Sequence, residues 1–133
     1  MKYMKLFLPV LLALTSCELT EEATVDDINK LIKTWVVETV YIDDFEDIAN
    51  DYSNWQLEIQ EGNSYVFTDI EGNSETGTWE ITDNNSVLTV NPDNGTSRDY
   101  YVLELTESSL KLIRSESGLK DVNVDFRYEL VPL

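Results

Sequence analysis

From residue 35 to the end of the chain, apolar and polar residues alternate with a period of two. That is the spacing of β-strands with one dry face. Trp35, Val37, Thr39 and Tyr41 form the first expected inward row. Trp55, Leu57 and Ile59 alternate with Gln56, Glu58 and Gln60, and Glu61-Gly62-Asn63 supplies a tight turn into Tyr65 and Phe67. After Gly72-Asn73 come Trp79 and Ile81, set between Thr78, Glu80 and Thr82. Asp83-Asn84-Asn85 turns into Leu88 and Val90, and Asn91-Pro92-Asp93-Asn94-Gly95 turns out again. Tyr101, Leu103 and Leu105 are the next expected inward row, and Leu110 and Leu112 the one after. Val124, Phe126, Tyr128 and Leu130 close the chain, alternating with Asp125, Arg127 and Glu129. Ahead of the strands, Val25, Ile28, Leu31 and Ile32 recur at helical spacing with Asp26 and Asp27 in the first turn, which predicts a short helix.

About eight strands joined by hairpin turns, with no helix long enough to cross between parallel strands, pair consecutively and antiparallel. Each hides one face, and closing the sheet on itself covers that face and removes the edges. The expected fold is therefore all-β, an eight-stranded antiparallel up-and-down β-barrel with a short N-terminal helix. A β-sandwich of the same strands is the alternative. A barrel of eight strands is either filled by side chains or holds one small ligand.

The start of the chain follows another rule. Lys2 and Lys5 precede an apolar run at residues 6–14, which is too short to span a bilayer as a helix, since that takes about 20 residues. A basic start, a short apolar core and small residues before a cut describe a secretory signal. Leu14-Thr15-Ser16-Cys17 resembles the lipobox of bacterial lipoproteins at all four positions. The resemblance implies cleavage before Cys17, a thioether from its thiol to diacylglycerol, and acylation of its new amino group. Two or more acyl chains anchor stably where one is marginal. The expected division is a signal peptide at 1–16, the lipidated Cys17 with an acidic tether at 17–24, and a barrel domain at 25–133. The tether holds Glu18, Glu21 and Glu22, and is similar to the acidic stretch that directs some lipoproteins of anaerobic Gram-negative bacteria to the cell surface. The expected location is the cell envelope, at the outer membrane, facing the periplasm or the outside.

Charge narrows the partners. The chain carries 9 Lys and Arg against 26 Asp and Glu, a net −17, and no histidine. Only Lys2 and Lys5 are lost with the signal, so 7 cations and all 26 acids remain and the processed chain stands at −19. Nucleic acid, which needs a basic footprint, is excluded as a partner. Without histidine, and with the single cysteine given to lipid, the usual Ser-His and Cys-His catalytic pairs are absent. The inward rows as read above offer no acid pair, so no catalytic residue and no cofactor is expected. Asp43, Asp44, Glu46, Asp47 and Asp51 lack the spacing of a calcium loop, so no metal site is assigned.

Two sets of residues are candidates for binding. The long connection at 43–54 offers Phe45, Ile48 and Tyr52 as cover for a ligand at the barrel mouth. Tyr41, Trp55, Tyr65, Phe67, Trp79, Tyr101, Phe126 and Tyr128 either fill the barrel or line an apolar pocket with phenol and indole groups as its polar points. On the other face of the first strand, Val36, Val40 and Ile42 suggest cover by the helix or a patch for another protein.

Leu31 and Thr34-Trp35 after a short helix, Gly77-Thr78-Trp79-Glu80-Ile81, and the run from Tyr101 through Leu112 resemble the small lipocalin-like domains of bacterial lipoproteins, in pattern over residues 28–131. Lys33 stands where the lipocalin Gly-x-Trp signature has glycine. In lipocalins an arginine on the last strand packs over the opening tryptophan. Arg127 is the only arginine on this last strand, and its alternation sets it opposite Phe126 and Tyr128. The resemblance implies a membrane-anchored, non-catalytic binding module for a small apolar or amphipathic molecule. The rival expectation is a filled barrel whose surface meets another envelope protein.

Overall fold

The computed structural model describes residues 25–117 and 123–133. The expected signal, Cys17 and tether lie outside the described residues. Helix α1 (Val25–Leu31) leads into β1 (Thr34–Ile42), the two-residue β2 (Phe45–Glu46), β3 (Gln56–Ile59), β4 (Ser64–Thr68), β5 (Ser74–Thr82), β6 (Val87–Pro92), β7 (Arg98–Leu105), β8 (Leu110–Ser117) and β9 (Asn123–Pro132). From β3 to β9 each strand pairs antiparallel with the next; β1 pairs with β3 on one side and β9 on the other. That last pairing closes the sheet, so the fold is an eight-stranded barrel and the sandwich alternative is set aside. The small β2 folds back on the end of β1.

One end of the barrel is sealed. Leu31, Trp35, Ile59, Trp79, Leu88, Leu110 and Leu130 are buried there, with Ile28 and Ile32 of the helical segment packed against them. Burying each large apolar side chain contributes about 1.5–3 kcal/mol. Both tryptophans satisfy their indole N–H locally: Trp35 Nε1 donates to the Leu31 carbonyl at 2.9 Å and Trp79 Nε1 to that of Gln60 at 3.1 Å. Asn85 in the β5–β6 turn donates to Asp27 of α1 at 2.9 Å, tying the helix to the barrel end. That turn has Asp83, Asn84 and Asn85 at φ of 53°, 59° and 65°, a left-handed conformation that Asp and Asn tolerate better than other side chains. The cation over the opening tryptophan is Lys33, its Nζ 5.2 Å from the Trp35 ring centre, in the place of the missing glycine. Arg127 lies outside the wall, over Tyr41 at 4.2 Å.

Two bulges change the inward rows. On β1, Val37 pairs with Leu130 but Thr39 with Glu129, leaving Glu38 as an extra residue. The alternation slips by one at that point. Trp35 and Val37 face in before it, and Val40 and Ile42, paired with Tyr128 and Phe126, face in after it. Val40 is 1% exposed. The expected outward patch therefore dissolves: Val36 stays outside beside Val131, whereas Val40 and Ile42 belong to the interior. Thr39 and Tyr41, expected inside, face out. On β7, Val102 pairs with Leu112 and Glu104 with Lys111, so Leu103 is the extra residue. Tyr100 and Val102 face in there, while Tyr101 and Leu103 are 56% and 54% exposed.

Candidate functional site

The end opposite α1 is bordered by the connections 43–55, 69–73 and 93–97, and strands β8 and β9 rise to the same rim. Below it lies a layer of inward aromatic side chains. Trp55, held just before β3 by a hydrogen bond from its N–H to the Tyr52 carbonyl, stacks on Tyr128 with ring centres 5.4 Å apart. Phe67 meets the Trp55 edge at 5.2 Å. Phe126 stacks on Tyr128 from the other side at 6.4 Å, and Tyr100 meets Tyr128 at a steep angle at the same distance. Trp55, Tyr128 and Phe126 thus form a ladder of nearly parallel rings across β3 and β9.

Four charged side chains share this inward parity. Glu75 is paired across the sheet with Phe67, Arg98 with Val90, Arg114 with Phe126 and Glu116 with Val124. Arg98 donates twice to Glu75, at 3.0 and 2.5 Å, turns its Nε to the Tyr100 hydroxyl at 3.4 Å and lies 5.5 Å over the Phe67 ring. The Tyr65 hydroxyl donates to the same carboxylate at 3.0 Å. Arg114 has Glu116 at 3.0 Å and stands 6.0 Å from the Tyr100 ring centre. The arginine hydrogen bonds hold the Glu75 carboxyl below the usual range. Burial, reinforced by Glu75, raises the Tyr65 phenol, and burial raises that of Tyr128. In this setting Glu75 is a carboxylate and both tyrosines keep their protons at any physiological pH.

The acids of the first connection serve to fasten it. Asp47 accepts from Asn50 Nδ2 at 2.7 Å, from the Tyr52 hydroxyl at 2.6 Å and from the Ala49 N–H at 3.0 Å, which lowers its carboxyl. Asp51 accepts from the Ser53 N–H at 2.9 Å, and Asp43 from the Asp125 N–H at 2.9 Å. Asp44 faces Arg127 at 3.5 Å. Among the described residues no three of His, Cys, Asp and Glu are arranged to hold a metal ion.

The candidates from sequence separate accordingly. Trp55, Phe67, Phe126 and Tyr128 come together at the open end, with Tyr52 packed against the same cluster. Tyr65 lies deeper and reaches the site through its hydroxyl. Trp79 belongs to the sealed end. Tyr41 and Tyr101 are on the outer wall, and Phe45 and Ile48 are 78% and 87% exposed. Sequence reasoning missed Tyr100, Arg98, Arg114, Glu75 and Glu116, and its inference that the inward rows hold no acid is corrected by the last two. The signal was present for three of them: Glu75 shares the parity of Trp79, and Arg114 and Glu116 that of Leu112. Arg98 and Tyr100 were hidden by the bulge at Leu103.

Comparison with known proteins bears on this arrangement. Residues 31–112 match the family model described as a lipocalin-like domain. No curated protein matches the chain. The fold is similar to the crystal structure of a lipocalin-like protein from Bacteroides uniformis ATCC 8492, with a TM-score of 0.52 and 12% identity, over 78% of this chain and 99% of that one. At that identity the likeness concerns the fold.

Proposed function

The chain belongs to the lipocalin-like domain family, and on that premise we propose that it is a lipid-anchored, non-catalytic binding module that takes a small apolar or amphipathic molecule at the open end of its barrel. The observation that carries the reading is the asymmetry between the two ends. One is sealed by α1, Trp35 and their buried neighbours, and at the other the partly buried Phe67, Phe126 and Tyr128 surround the buried Trp55 beneath a rim of loops. An apolar wall with a few placed polar groups is the usual composition of a small-molecule site. Anchoring rests on the Leu14-Thr15-Ser16-Cys17 box, with the outer membrane of a bacterial envelope as the proposed location.

Native mass spectrometry of the protein from the periplasm, before and after organic extraction, tests the reading. A discrete extractable mass supports it. A bare polypeptide that also takes up no apolar probe rejects it in favour of a filled barrel that meets another envelope protein. That second reading has its own observation: Tyr101 and Leu103 stand out from the wall, with Val87 and Ile113 paired beside Tyr101 on the same outer face. Cross-linking to a partner that is lost in Tyr101→Asp or Leu103→Asp would favour it.

A further inference from the structure

The connection from β6 to β7 carries the one Asn-Gly pair of the sequence, Asn94-Gly95. The chain is fixed on either side of it. Asp93 donates its N–H to the Thr76 carbonyl at 2.9 Å and accepts from the Thr76 hydroxyl at 2.9 Å, while the Ser97 hydroxyl donates to Asn91. Between these clamps Asn94 and Gly95 are exposed. Among the described residues neither the Asn94 side-chain amide nor the Gly95 N–H has a hydrogen-bond partner. Gly95 stands at a φ of 146°, a conformation that a residue with a Cβ rarely adopts, so the nitrogen that follows Asn94 has no side chain of its own to cover it.

The other asparagines are held or shielded. Asn50 donates to Asp47 at 2.7 Å, Asn54 to the Ile70 carbonyl at 3.2 Å, Asn73 to Asp69 at 3.4 Å and Asn85 to Asp27 at 2.9 Å. Asn91 precedes a proline, which has no N–H to lose. Asn29 precedes Lys30 inside α1. Asn63, Asn84 and Asn123 are followed by Ser64, Asn85 and Val124, whose side chains crowd the backbone nitrogen between them.

We propose that Asn94 is a site of spontaneous covalent modification, at which its amide is converted to a carboxylate through a cyclic imide closed by the Gly95 nitrogen. That nitrogen gives its proton to a solvent base and attacks Asn94 Cγ. The Cγ–Nδ2 bond breaks, and Nδ2 takes a proton and leaves as ammonia, so a five-membered succinimide remains. Nucleophile and electrophile sit on neighbouring residues of one free turn, which makes the attack intramolecular. Water then opens the ring at either carbonyl. Opening at Cγ yields aspartate, and opening at the main-chain carbonyl yields isoaspartate, with the chain running through the former side chain. Both products add one negative charge, and the chemistry needs no ligand in the barrel. Asn94 borders a recess of about 380 Å³ at the open end with Phe67, Asp69, Glu75 and Asp93, so the mouth gains a fourth acid as the molecule ages.

The test is incubation of the purified protein at pH 5 and pH 8, followed by anion exchange, intact mass and peptide mapping. A species one mass unit heavier that elutes later is expected, formed faster at pH 8 because the attacking nitrogen must lose its proton. Its peptide map should place both aspartate and isoaspartate at position 94. Asn94→Gln, which would have to close a six-membered ring, should slow the conversion by about tenfold or more, whereas Asn84→Gln should leave its rate unchanged. Conversion that maps first to another asparagine overturns the assignment. Aspartate without isoaspartate at position 94 overturns the imide route, since direct hydrolysis gives only that product. Conversion of Asn94 in urea but not in the folded protein shows that the turn withholds the side chain, and it overturns the site, as does no conversion in either.

Discussion

Arg98 on β7 reaches past the end of β6 to grip Glu75 on β5, two strands away, with two hydrogen bonds on the inner face of the barrel. Both side chains are largely withdrawn from solvent, at 18% and 28% exposure. Replacing one partner leaves the other half-buried and unpaired, which costs more than the pair itself contributes. Glu75→Gln is expected to lower stability by about 1–3 kcal/mol at pH 7. The carboxyl is depressed in the folded state, so its contribution is complete above the unfolded value of about 4.3 and fades as pH falls through the folded value. Urea unfolding should therefore show the wild type losing stability below about pH 4 and the gap to Glu75→Gln narrowing there. A gap of constant size would place the stabilisation elsewhere.

Gly77 on β5 lies opposite Pro92 of β6, and a Cβ there would sit 2.1 Å from the Asn91 carbonyl oxygen and 2.8 Å from the Pro92 Cα. Both obstacles are backbone, which cannot rotate away. Overpacking of this kind costs about 1–3 kcal/mol or more. Gly77→Ala is expected to fall at or above the top of that range in chemical unfolding. Gly62→Ala, in a turn with open space around it but a φ of 76°, should cost about 1 kcal/mol.

The bulge at Glu38 makes Val36 and Val40 opposites. Val40→Asp places a carboxylate in a buried position against Tyr128 and should abolish cooperative folding, whereas Val36→Asp, beside Val131 on the outer wall, should cost about 1 kcal/mol or less. Circular dichroism melts of the two variants decide between the bulged strand and an uninterrupted one, which would put both residues on the outer face and give both variants the same small loss.

That pair also marks how far the sequence could be read. The eight strands, their order and the turns at Glu61-Gly62-Asn63 and Asp83-Asn84-Asn85 follow from alternation and turn chemistry, which are local. A bulge is not local: the extra residue is defined by the partner strand, and Glu38 and Leu103 carry no mark of their own. Every residue beyond such a point changes face, which is why Tyr41 and Tyr101 were expected inside while Val40, Tyr100 and Arg98 were not. Glu75 and Arg114 failed to stand out for another reason. In a chain with 26 acids a charged residue reads as surface, and its inward parity becomes persuasive only when a partner is seen.

If Cys17 carries the anchor, its sulfur nucleophile is indispensable to anchoring and the barrel is not. Cys17→Ser should leave the barrel fold unchanged and move the protein from the membrane to the soluble fraction of a cell lysate, as an uncleaved precursor or a soluble product on immunoblot. Retention of the variant in the membrane at wild-type level would point to an anchor other than lipid at this position.

The three tryptophans divide between the ends of the barrel, which makes them separate reporters. Trp35 and Trp79 have their indole N–H groups fixed on backbone carbonyls at the sealed end, while Trp55 stacks on Tyr128 in the open one. A ligand entering at the open end packs on the partly buried Tyr128 and Phe67, which contact Trp55, and so perturbs Trp55 while leaving the other two in place. Trp55→Phe should therefore keep the barrel fold, at a cost of about 1–2 kcal/mol, and remove most of the emission change produced by an apolar ligand. Trp79→Phe should keep that change. The reverse outcome would require the ligand to reach the interior past α1, through the end where Leu31 and Trp35 are wholly buried, and the polarity of the site along the barrel axis would have to be inverted.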